Sequence, residues 1–224
     1  MEWEESNRQQ RHGIGLAEAL AHPRVWLLIA VYFTVAFGNN SYGFFLPSLL
    51  QGQFPTWTKF EIGLLAAAPG LLAITGMVLI GAHSDRTGER RWHVAGPAFL
   101  AAAGWVLAAL TSSPWLFVLA LGFASMGMNS MLPTFWSLPT AFLSGAAAAG
   151  GIALINSVAN IGGFLGPVII GQIKDRTGSY TDGLLVVAAL LCVGGLLVLR
   201  VRHDATLENN RPSGEPASPR NDEV

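Results

Sequence analysis

Asn156 and Asn160 stand in the stretch INSVANIGG, residues 155–163, within one of the most apolar parts of the chain. An uncharged amide offers two N–H donors and a carbonyl acceptor, enough to hold a polar molecule without ionic chemistry. Residues four apart share one helix face. Ala149, Ala153, Gly163 and Pro167 fall on roughly the same stripe, and a small-residue stripe lets helices approach closely or leaves space for a ligand. The residues alone leave two readings: a hydrogen bond between helices, worth ~0.6–2 kcal/mol, or a contact with a bound molecule.

Two other groups have the same neutral, hydrogen-bonding character. Asn39 and Asn40 interrupt the run AFGNNSYGFF, and the segment PTFWSLP carries Thr134, Trp136 and Ser137. Pro133, three residues before Trp136, bends a helix and can aim the ring inward. An indole here equally suits the membrane boundary, and Asn39 and Asn40 equally suit a bond between helices.

What is missing narrows the chemistry further. No Ser/His/Asp, Cys/His or metal-ligand cluster lies in the apolar segments, and the single cysteine, Cys192, has no thiol partner. These absences argue against an enzyme, a metal site and a resident cofactor. No basic run is present to suit nucleic acid. Between Val25 and Gln172 the only charges are Lys59, Glu61 and the group at 85–91, none of them deep in an apolar segment. Intramembrane acids are the usual proton relays, so this stretch has no candidate for one.

The elements that position these residues are expected to be transmembrane helices. Hydrophobic residues make up 51% of the chain and charged residues 12%, against about 25% charged in a soluble domain. A span takes about 20 mostly apolar residues, and six segments qualify: 25–50, 61–82, 93–111, 114–138, 146–172 and 182–200. Pro47, Pro69, Pro97, Pro133 and Pro167 lie within or at the ends of these segments, and neighbouring helices satisfy the backbone groups they free. The polar stretch 1–24 lacks the layout of a secretory signal, and the Pro-, Ser- and charge-rich stretch 202–224 reads as a disordered cytoplasmic tail. The expectation is an all-α membrane protein with a six-helix domain over 25–201. Ten of the 13 Lys and Arg residues fall with the two termini and the second-to-third loop, leaving Lys59, Lys174 and Arg176 on the other side. Both termini are therefore expected in the cytoplasm.

An internal repeat supports this plan. Residues 80–88, IGAHSDRTG, match residues 170–178, IGQIKDRTG, at six of nine positions and an offset of 90 residues. Gly76 pairs with Gly166 and Val78 with Val168 at the same offset. Three helices separate the copies, so they run in opposite membrane directions, as in inverted three-plus-three repeats. At that offset Asn156 aligns with Ala66 and Asn160 with Gly70: the glycines repeat and this amide pair does not. The first copy opens the loop GAHSDRTGERRWH, in which Asp85, Arg86, Arg90 and Arg91 are placed to exchange salt bridges and Gly88 permits a tight turn. This loop reads as a cytoplasmic latch or as a charged connector that fixes orientation.

The loop resembles the charged two-to-three loop motif of the major facilitator superfamily, in the copy found in the second half of such transporters. More narrowly, residues 133–167, PTFWSLPTAFLSGAAAAGGIALINSVANIGGFLGP, are similar to the anion:cation symporter branch, whose FW, LP, SG, GIALINS and GGFLGP motifs occur here in the expected order. That branch includes permeases for tartrate, phthalate, sugar acids and hydroxyphenylacetate-like aromatic acids. The resemblance runs from about Val25 to Val201. It implies one six-helix half of a twelve-span fold, with 1–24 the remnant of a central loop. The other half would come from a separate gene, would be lost by truncation, or would be replaced by a second copy of this chain. The resemblance also implies a small organic anion as substrate, H+ as coupling ion, alternating access in the inner (plasma) membrane, and capturing charges in the missing half. It moves Asn156 to substrate contact with Asn160 as support one turn on, and it makes Trp136 a cavity-facing ring with Thr134 and Ser137 beside it. Relatives carry an aromatic residue at the position of Asn40, and this departure leaves the particular substrate open. The competing reading is a non-transporting truncated or accessory membrane protein.

Overall fold

The computed structural model describes residues 21–200, which form six α-helices and no strand: α1 (Pro23–Gln53), α2 (Lys59–Thr87), α3 (Trp92–Leu110), α4 (Pro114–Thr140), α5 (Gly145–Thr177) and α6 (Thr181–Leu199). Four expected spans sit inside one helix, and 93–111 and 182–200 each overrun theirs, α3 and α6, by one residue. The expected tail over 202–224 lies outside the described residues, as does all but the end of the 1–24 segment.

Local chemistry sets the boundaries. Pro23 starts α1, and the His22 ring accepts the Arg24 N–H at 3.1 Å. Thr58 and Glu61 form a reciprocal capping box at the start of α2. Both repeat copies are helical through their DRT residues, because no breaker precedes the glycine. Gly88 and Gly178 then close α2 and α5 in the left-handed conformation, at φ 71° and 74°, a geometry only glycine adopts cheaply.

Five of the six helices are long and apolar enough to cross a bilayer. The exception is α1, which has 31 residues but is diluted by the polar run Asn39, Asn40 and Ser41.

The inverted repeat is legible in the packing. α5 lies along α1 as α2 lies along α4, and α6 lies against α1 as α3 lies against α4, while α3 and α6 pack on one another. The closest approaches repeat too. A Cβ on Gly104 would sit 2.5 Å from the Ala124 backbone nitrogen, and Gly194 is pressed in the same way against Thr34. Adding 90 to residue 104 and subtracting it from residue 124 turns one pair into the other. Gly76 faces Met126 and Ser130 on α4, and its mate Gly166 faces Phe37 and Ser41 on α1.

Burial is uneven. Of the most apolar stretch of each helix, 61% is buried in α4 but only 22% in α2 and in α5. The repeat-related pair α2 and α5 therefore carries most of the open surface, and that surface is where the amide question is decided.

Candidate functional site

The stripe along α5 divides into two parts. Ala149, Ala153, Asn156 and Asn160 are exposed, whereas Gly163 is buried and Pro167 half-buried. At Gly162, Gly163 and Gly166 the α1 backbone or side chains come so close that a Cβ would clash with Phe33, Asn40 or Phe37. The lower part of the stripe thus serves helix contact, and the upper part faces away from the chain's own fold.

The two amides form a unit on that open part. Asn160 Nδ2 donates to the Asn156 backbone carbonyl at 2.7 Å and to Asn156 Oδ1 at 3.0 Å. Among the described residues neither amide bonds to another helix. The Asn156 NH2 group and the Asn160 carbonyl keep hydrogen-bonding capacity directed outward from α5.

Asn40 belongs to the same neighbourhood. Its Nδ2 donates to the Ala36 carbonyl at 2.9 Å, and its side chain lies across Gly163, three residues beyond Asn160. Asn39 is half-buried. Its mate at the 90-residue offset is Asn129 on α4, whose Nδ2 donates to the Ser125 carbonyl at 2.9 Å. Asn129 is a mid-span amide that motif reading passed over; the repeat that aligned DRTG with DRTG was the signal for it.

Trp136 sits in an aromatic cluster. It meets Tyr32 of α1 edge-on at 4.9 Å, and Tyr32 stacks on Phe135 at 5.1 Å. The expected hydroxyls differ in placement. Thr134 is only 1% exposed, with its Oγ1 unpartnered inside the helical body. Ser137 is half-buried and its hydroxyl donates to the Thr134 carbonyl at 2.7 Å. Trp136 and Ser137 therefore retain access to solvent or ligand in this conformation, and Thr134 does not.

The loop after α2 is a separate cluster at the far end of α2. Arg90 pairs with Asp85 at 2.6 Å and also donates to Ser84. Arg91 donates to the Leu199 carbonyl at the end of α6, tying the loop to a helix more than a hundred residues away. Arg86 is exposed and has no partner among the described residues. Glu89 accepts the Trp92 N–H at 2.9 Å and meets His93 Nδ1 at 2.9 Å, while His93 Nε2 lies 2.6 Å from His83 Nδ1. Partial burial works to raise the Glu89 pKa, but the hydrogen bonds from Trp92 and His93 and the His93 charge outweigh it and hold the carboxyl below its ordinary range. No group of three or more potential metal ligands occurs among the described residues.

Comparison with known proteins gives this geometry a context. The family model described as Major Facilitator Superfamily matches residues 7–222. The chain belongs to the major facilitator superfamily. A protein of Agrobacterium vitis named for tartrate transport is 48% identical over 180 residues, covering 80% of this chain and 40% of that protein. The inner membrane transport protein RhmT of Escherichia coli is 34% identical over 202 residues, covering 90% and 47%. Among solved structures, that of the Escherichia coli fucose:proton symporter superposes with a TM-score of 0.73 at 16% identity, covering 83% of this chain and 45% of the symporter; this likeness concerns the fold. The chain thus spans less than half the length of these relatives. Family membership and the apolar helices together make it an integral, multi-pass membrane protein, in a family of transporters rather than enzymes.

Proposed function

We propose that this chain forms one half of a secondary active transporter for a small organic anion, and that the open amide face of α5 is part of the wall of its substrate cavity. The observation that carries this reading is the pair Asn156–Asn160 on a face the chain does not cover. Facing hydrocarbon, the spare donors and acceptors would be unsatisfied at a cost of several kcal/mol. Facing a water-filled cavity, they are solvated when it is empty and bind ligand when it is full.

Asn156 then contacts substrate, and Asn160 holds it in place from one turn on. Trp136 and Ser137 supply an indole and a hydroxyl, and Asn39 and Asn40 supply amides from α1. Thr134 reaches substrate only if α4 turns during the transport cycle. The relatives named for tartrate transport support a carboxylate as cargo. Coupling to H+ and capture of the anion by charge fall to a separate first six-helix half, because no Asp, Glu, Lys, Arg or His lies deep in a described helix and a second copy of this chain would share that lack. The excess of Lys and Arg at the loop 83–93 and the termini supports both termini in the cytoplasm and an inner-membrane location. The Asp85–Arg90 and Arg91–Leu199 bonds fit a cytoplasmic latch that opens as the two halves rock.

The test is uptake of radiolabelled tartrate by membrane vesicles holding this chain with a supplied first half, under an acid-outside gradient. Uptake that a protonophore abolishes is expected. No uptake by the paired halves, with both present in the membrane, sinks the proposal. The lack of a deep charge favours a second reading for the chain by itself, a non-transporting accessory protein; vesicles with this chain alone are expected to be inactive under either reading.

A further inference from the structure

The chain has only two lysines, Lys59 and Lys174, and the fold brings both to one groove. They lie 115 positions apart in sequence, at the start of α2 and the end of α5, on the end of the bundle opposite the loop 83–93. The groove, of about 740 Å³, is lined by both lysines together with Ser48, Gln51 and Tyr180. A smaller recess of about 290 Å³ shares Ser48, Lys174 and Tyr180 and adds the hydroxyl residues Thr111, Ser179 and Thr181. Neither lining contains a carboxylate.

The acids nearby are occupied or turned elsewhere. Glu61 is drawn back onto Thr58, accepting its N–H at 2.7 Å and its hydroxyl at 2.8 Å, so it does not neutralise Lys59. Lys174 Nζ sits over the Tyr180 ring at 5.0 Å rather than on a carboxylate. Asp175 lines a different cavity, on the α1–α5 side with Phe44 and Phe164, and the exposed Asp182 lines neither groove. Arg176, exposed on the next turn surface, adds a third positive charge to this end of the bundle.

We propose that this groove is an entry site for a soluble dicarboxylate, distinct from the amide face of α5. Two ammonium groups on one concave surface match two carboxylates, the hydroxyls suit bound oxygens, and a groove lined by one sign of charge raises the local concentration of the opposite ion. Gln51 is structural here, its Nε2 donating to the Phe54 and Trp57 carbonyls at 3.1 and 3.2 Å. The choice of a dicarboxylate rests on the reading of the cargo above; the binding site itself rests on the lysine geometry. A phosphate in an anionic lipid headgroup shares the chemistry, so the test separates the two.

The two lysines are the chain's only ε-amines, so acylation by a water-soluble amine reagent, resolved by peptide mass spectrometry, reports this groove directly. The purified full chain in nanodiscs of zwitterionic lipid is labelled with and without tartrate, with succinamide as the neutral control. Tartrate is expected to slow labelling of both lysines, and succinamide is not. Lys59→Gln or Lys174→Gln should raise the half-protecting tartrate concentration at the remaining lysine about 1.4- to five-fold, the range set by a surface charge contact of ~0.2–1 kcal/mol. Ser48→Ala, which removes a hydroxyl common to both recesses, should weaken protection of both lysines without removing an amine. Absence of protection by tartrate overturns the proposal. So does protection that appears only when anionic lipid replaces the zwitterionic lipid, which would assign the groove to headgroups. Because labelling needs no transport, failure here leaves the uptake test standing, and failure of uptake leaves this one standing.

Discussion

α2 and α5 are the same element seen twice. Each lies along the first helix of the other repeat, each is pressed there at a glycine (Gly76 or Gly166), each ends in DRTG with a left-handed glycine, and each is only 22% buried over its most apolar stretch. Their open faces differ. α2 shows Leu64, Leu71, Ile74 and Leu79 to the outside, a surface suited to lipid or to another apolar helix. α5 also exposes Ile161 and Phe164, but beside them it shows Ala149, Ala153 and the amides Asn156 and Asn160. What the two share is scaffold, and what differs is the amide pair to which the proposed function assigns substrate contact.

The largest effect should come from the scaffold. At Gly127 an added Cβ falls 2.5 Å from the Ala101 backbone nitrogen, which cannot move aside, whereas at Gly38 it meets the flexible Met128 sulfur at 2.9 Å. Gly127→Ala is expected to cost about 3 kcal/mol and Gly38→Ala under about 1 kcal/mol, read as loss of monodisperse protein and of melting temperature in detergent. Equal losses would mean that the two repeats are not packed as described.

Next comes the amide face. In the complete transporter Asn156→Ala should weaken tartrate binding about five-fold, near 1 kcal/mol, with little loss of expression. Asn160→Ala, which removes both bonds to Asn156, should lower expression or stability more. Installing the amide on the mate helix by Ala66→Asn should give no gain in binding. Identical effects of the two α5 substitutions would contradict the division of roles between them.

The two DRTG copies sharpen the comparison at smaller scale. The first is bonded through Arg90 to Asp85, with Arg91 on Leu199; in the second, Asp175 and Arg176 are exposed and unpaired among the described residues. Arg91→Ala is expected to cost about 1 kcal/mol by leaving the end of α6 untied, and Arg176→Ala within about 0.5 kcal/mol of nothing. Thermal melts of the purified chain decide it.

The smallest effect is a pH dependence. Glu89 has a lowered pKa in the folded state, so its contribution is present above the ordinary carboxyl pKa and is lost as pH falls through the lowered value. Being partly exposed, it should account for only a few tenths of a kcal/mol. Glu89→Gln should lower stability near neutral pH by that amount, flatten the acid limb, and leave stability unchanged below the lowered pKa.

The sequence carried the helices well, because apolar length and glycine stops are local signals: Gly88 and Gly178 close α2 and α5 where the motif suggested. The repeat also carried more than it was asked to, since the offset that aligns DRTG with DRTG pairs Asn39 with Asn129 and Gly104 with Gly194. Contacts between helices were not legible. Nothing near Trp136 names Tyr32 as its partner, nothing near Arg91 names Leu199, and the direction of Thr134 depends on which side of α4 meets the body. The convergence of Lys59 and Lys174 is of the same kind, set by how α2 and α5 flank α1. The small stripe on α5 left close approach and ligand space both open, and packing assigned them to different turns of the same helix.

The most direct test of the central claim, that α5 rather than α2 faces substrate, is thiol accessibility at the two repeat-related positions. Asn156→Cys and Ala66→Cys, each in a Cys192→Ser background and paired with the first half, would be reacted with a membrane-impermeant maleimide with and without tartrate. Tartrate is expected to slow labelling at position 156 and to leave position 66 unchanged. Equal protection at both positions, or protection at 66 alone, would contradict it.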